Sequence, residues 1–66
     1  MRFRFDLHQR GQCVTLWAVC STRASAKTKA NLFFKMMENS DECQVLLLLD
    51  GDMLWRVTAS GGRSII

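Results

Sequence analysis

The chain has 66 residues, of which 48% are hydrophobic and 23% charged, with no proline and a formal net charge of +3. Such a composition excludes a disordered or proline-rich segment. The length allows one small domain, residues 1–66, that buries only about 60% of the surface its unfolded chain exposes.

Three cysteines, Cys13, Cys20 and Cys43, form no Cys-x-x-Cys pair and are odd in number, so neither a disulfide framework nor a zinc finger is indicated. The opening MRFRFDLHQR alternates charged and apolar residues and has no continuous apolar stretch of the kind that marks a signal peptide. The longest aliphatic run, Val45 to Leu49, is far shorter than a membrane span. A soluble cytoplasmic protein with no membrane partner is expected. The isoelectric point near 9.1 mildly favours anionic partners.

Met1 to Leu7 alternates strictly, with Phe3, Phe5 and Leu7 on one face and Arg2, Arg4 and Asp6 on the other. A turn at Arg10-Gly11 leads into Cys13 to Cys20, a second strand rich in β-branched and aromatic residues. Centring the hairpin on that turn pairs Leu7 with Val14, Phe5 with Leu16 and Phe3 with Ala18, and sets Arg4 across from Trp17 and Arg2 across from Val19.

Ser21 to Ser40 changes to a helical period, with Ala26, Ala30, Phe33 and Met37 at i, i+4, i+7 and i+11. Ser21 or Thr22 caps its start and Asn39 suits its end. Asp41-Glu42 breaks the pattern. A second hairpin follows, Cys43 to Leu49 and Met53 to Ala59, around the strong turn signal Asp50-Gly51. Residues 60–66 are expected to be a flexible tail or a short added strand. The order is ββαββ, an α+β two-layer fold in which one helix packs on one face of an antiparallel-rich, four-stranded sheet.

One helix covers one face of such a sheet. With Asp50-Gly51 or Gly51-Asp52 as the turn and regular pairing, Leu46 and Leu48 share the Trp55 side, so the covered face takes Phe3, Phe5, Leu7, Val14, Leu16, Leu46, Leu48, Met53, Trp55 and Val57. Trp17, Val19, Val45, Leu47, Leu49 and Leu54 are left on the other face beside Arg2, Arg4 and Arg56. An open apolar patch of that kind, rich in Trp and Arg, is the composition of a partner-binding surface. A β-bulge that turns some of these side chains inward is the alternative.

No catalytic constellation stands out, and a non-enzymatic protein without a cofactor is expected. His8, the single histidine, lies close enough to Cys13 for a nucleophile pair, but a short chain builds no pocket around it. Metal binding by His8 with Cys13 and Cys20 is not expected, because the spacing is poor and the two cysteines point to opposite faces. Asp50-Gly51-Asp52 is a turn and lacks the further ligands of a calcium loop. On the helix, Arg23, Lys27, Asn31 and Lys35 step at i+4, with bases early and Glu38 late, opposite to what the helix dipole favours. Arg23, Lys27 and Lys35 are therefore read as an anion- or partner-binding stripe, against the alternative of a solvating face.

In build, the succession of hairpin, basic helix (RASAKTKANLFFKMM) and hairpin resembles the small phage-encoded anti-CRISPR inhibitors. The resemblance covers the overall plan and no residue-level motif. It implies a protein that acts by occupying the surface of a host nucleoprotein. Two other readings stay open: a sequence-tolerant, weak nucleic-acid binder that stacks bases on Trp17 and holds phosphates with arginines, and an obligate homodimer whose open faces pack together.

Overall fold

The computed structural model describes residues 1–37 and 40–65. Two strands, β1 (Arg2–Gln9) and β2 (Gln12–Val19), precede the helix α1 (Arg23–Lys35). A 3₁₀ turn at Ser40–Glu42 leads into β3 (Cys43–Leu49), β4 (Asp52–Thr58) and β5 (Gly61–Ser64). The α+β class and the single helix agree with the sequence reading. The sheet, however, has five strands in the order β2-β1-β3-β4-β5, every neighbouring pair antiparallel. The fifth is made of residues 61–64, so the flexible-tail alternative gives way to the added strand. Ile66 lies outside the described residues, as do Glu38 and Asn39, the expected late acid and helix end.

Both hairpins turn as their residues dictate. Arg10 and Gly11 have φ of 49° and 77°, and Asp50 and Gly51 have 52° and 87°. Positive φ at both central residues is the type I′ geometry, whose twist matches that of the flanking strands. The β1–β2 register is the expected one, with Arg2 opposite Val19, Arg4 opposite Trp17 and His8 opposite Cys13. Helix α1 starts at Thr22, whose Oγ1 accepts from the Ser25 N–H at 3.1 Å.

The second hairpin departs from regular pairing, and the departure decides which side of β3 is core. Next to the turn Leu49 faces Asp52 and Leu48 faces Met53, but Leu47 then pairs with Trp55 because the register shifts between Leu47 and Leu48. Leu54 is the extra residue of a β-bulge, so Leu54 and Trp55 both turn toward the helix. Leu47 therefore joins Phe5, its neighbour across β1, on the covered face. Phe3, Phe5, Val45 and Leu47 are fully buried, packed with Ala26 and Ala30 of the helix. Phe33 meets Phe5 edge-on at 5.1 Å between ring centroids.

Four residues expected on the open face thus belong to the core side, among them Leu47 and Leu54, which are buried, and Leu49, which packs against the same cluster. Val45 moves with them, while Leu46, Leu48 and Met53 change places to the open face. Val14 and Leu16, expected beneath the helix, are exposed instead because α1 packs chiefly over β3 and leaves β2 uncovered.

Beyond β4 the helix layer is extended by one side chain. The Trp55 indole lies over Gly62 of β5 so closely that a Cβ there would collide with the ring. Its Nε1–H donates to Asn31 Oδ1 at 3.2 Å, and the Lys27 ammonium sits 4.9 Å from the ring centroid.

Leu47→Ala is expected to cost about 2–5 kcal/mol, a large part of the roughly 3–10 kcal/mol available to a domain of this length. Leu48→Ala, on the half-buried side, should cost about 1 kcal/mol. Urea denaturation of the two variants checks the face assignment; equal costs would contradict it.

Candidate binding surface

The open face of the sheet answers how an aliphatic strand tolerates having no second layer. Leu48 lies between Arg4 of β1 and Met53 of β4, and Leu46 between Asp6 and Arg56. Arginine stems shelter apolar surface while their guanidinium groups stay in water, so both leucines are only half exposed. Arg56 donates through Nε to Gln44 Oε1 at 3.0 Å and stands directly opposite Arg63 of β5. Like charges facing each other across a ladder oppose pairing, and an anionic group between them would relieve that repulsion.

Asp6 is the one buried charged residue among those described. Its Oδ1 accepts from Arg4 Nε and from Thr15 Oγ1, each at 2.9 Å. Burial disfavours its ionised form, yet the bonds from Arg4 and Thr15 and the nearby charges of Arg4 and His8 hold the carboxyl below its ordinary pKa. The hydrogen bond and the charge of Asp6 in turn raise the pKa of Arg4. Arg4 is thus committed to this pair.

Apolar exposure concentrates on β2. Trp17 is 54% and Val19 78% exposed on the open face, while Val14 is 56% exposed on the helix side. Arg2 rests over the Trp17 ring at 4.6 Å from its centroid. On the helix side Leu7, Val14, Leu16, Phe33, Met36 and Met37 line a groove of about 500 Å³. Among the described residues the far edge of β2 pairs with no strand. Edge strands of soluble proteins are commonly short or charged. The other edge, β5, has four residues including two glycines and Arg63, whereas β2 has eight and none is charged.

The expected site residues therefore divide. Arg2, Arg4, Trp17, Val19 and Arg56 share the open face, and Leu47, Leu49 and Leu54 do not, for the reason the bulge gives. On the helix, Arg23 and Lys35 are exposed, but Lys27 is half-buried against Trp55, so the basic stripe is not one free surface. Sequence reasoning missed Met53, Arg63 and the helix-side residues Val14, Leu16 and Met36. The absence of charge along all of β2 was the available signal for an unprotected edge.

No helix among the described residues is long and apolar enough to cross a membrane. Comparison with protein-family models, curated proteins and solved structures finds no match to the chain.

Because the Asp6 carboxyl is depressed, its ionised form contributes stability that is fully present above the unfolded value near 3.9. That stability is lost as the pH falls through the lower folded value. Asp6→Asn should lower stability at neutral pH and flatten its acid dependence. Urea midpoints measured from pH 7 downward check this, and an unchanged acid profile in Asp6→Asn would assign the effect to other carboxylates.

Proposed function

We propose that this is a small, non-enzymatic cytoplasmic binding protein that acts by occupying a partner protein's surface. The observation that carries this reading is β2: an eight-residue, uncharged edge strand with Val14, Leu16, Trp17 and Val19 exposed, beside a sheet face bearing Arg2, Arg4, Arg56 and Arg63. Exposed Trp and Arg around an apolar centre suit a partner with an apolar contact flanked by acidic groups. Cys13, Cys20 and Cys43 form no disulfide with one another, which fits a reducing compartment. The specific form suggested by the resemblance in build is a phage or mobile-element inhibitor that blocks a host nucleoprotein.

A second reading, self-association, is favoured by the same strand. Two uncharged β2 edges can pair antiparallel without bringing like charges together. Nucleic-acid binding ranks below both, because Arg2 already covers Trp17, the ring on which a base would stack. What affinity there is should be weak and steeply salt-dependent.

The test is capture from the cells that make the protein, with and without nuclease, comparing the wild type with Trp17→Ala/Val19→Asp and with Arg23→Glu. A protein retained after nuclease, lost with the double variant and kept with Arg23→Glu is the expected outcome. Capture that survives the double variant, or that nuclease abolishes, contradicts the proposal. Sedimentation of the purified protein across concentrations decides the second reading, with a mass that stays monomeric ruling it out.

A further inference from the structure

Near the first turn, about four residues and roughly 13 Å along β2 from Trp17, Asp6 of the Arg4 pair adjoins two side chains that the surface described above does not use. Asp6 and His8 are two apart on β1 and so share the open face, and Cys13 stands directly opposite His8 on β2. Cys13 Sγ is 3.8 Å from His8 Nε2, and the ligand atoms of all three residues lie within 4.8 Å of one another.

We propose that Asp6, His8 and Cys13 bind one zinc-class divalent cation, leaving a fourth position for water or an incoming ligand. A tetrahedral zinc ion with ordinary bond lengths to sulfur, nitrogen and oxygen sets its ligand atoms about 3.4–3.6 Å apart. The Cys13–His8 distance is already close to that spacing. The remaining closure is within reach of side-chain rotation, since Cys13 is exposed and His8 half-buried. A thiolate, an imidazole and a carboxylate form a donor set suited to zinc or cobalt(II) and too soft for magnesium or calcium.

The supporting groups are in place. A ligating carboxylate is normally fixed by hydrogen bonds of its own, and Asp6 is held by Thr15 and Arg4. On binding, the Cys13 S–H bond breaks, the proton passes to solvent and the thiolate electron pair forms the metal–sulfur bond. His8 donates its Nε2 lone pair and keeps its proton on Nδ1. No oxidant or reductant is involved. The cluster differs from the one weighed in the sequence, which joined His8 and Cys13 to Cys20; Cys20 is buried at the far end of β2.

Cobalt(II) titration under a non-chelating reductant tests the site, because thiolate ligation gives a near-ultraviolet charge-transfer band. One equivalent of cobalt should produce the band in the wild type, and zinc should displace it. Cys13→Ser should abolish it although Cys20 and Cys43 remain. His8→Gln should weaken binding at least tenfold, and Thr15→Val, which leaves every ligand in place, should weaken it about 10- to 100-fold through the loosened carboxylate. Far-ultraviolet circular dichroism confirms that each variant is folded; if His8→Gln or Thr15→Val is not, the exposed Cys13→Ser substitution still decides. No band in the folded wild type, or a band of equal strength in Cys13→Ser, overturns the proposal.

Discussion

A single helix about 10–12 Å across must cover a five-stranded sheet about 19 Å wide. The rest of the structure follows from this mismatch. Helix α1 leaves β2, crosses β1 and descends to β3, so its small residues Ala26 and Ala30 sit over the centre of the sheet. On the β5 side the shortfall is made up by Trp55, whose indole extends the apolar layer over Gly62 and is tied to the helix through Asn31. On the β2 side Phe33, Met36 and Met37 form the rim of an open groove.

The bulge at Leu54 is the second device of economy. Turning two successive residues inward gives β4 both Leu54 and Trp55 for the helix layer, where a regular strand would supply one of them. It also sends Val45 and Leu47 into the core and returns Leu46 and Leu48 to the arginine-sheltered face. A run apolar on both faces is thereby accommodated with one largely buried side and one half-covered side.

This explains where the sequence was legible. Alternation and turn chemistry sufficed for β1, β2 and both turns, because Phe3, Phe5 and Leu7 contrast with Arg2, Arg4 and Asp6, and because Gly11 and Gly51 accept positive φ. The faces of β3 were illegible, since Val45 to Leu49 offers no polar contrast and a bulge leaves no mark in Met53-Leu54-Trp55. Gly61 to Ser64 read equally as tail or strand because its pairing with β4 depends on a glycine beneath Trp55. The Asp6–His8–Cys13 cluster is implicit in the β1–β2 register, which sets Cys13 opposite His8 with Asp6 on the same face, but spacing along the chain alone does not reveal it.

The central claim is that α1 covers one face only, leaving β2 open on both sides. Hydroxyl-radical footprinting of the dilute protein measures this directly, residue by residue. Trp17 and Met53 should be oxidised at rates approaching that of the exposed Met36, with Trp55 slower and Phe5 protected. Protection of Trp17 equal to that of Phe5, with Trp55 reacting freely, would contradict the account by placing the helix over the opposite face.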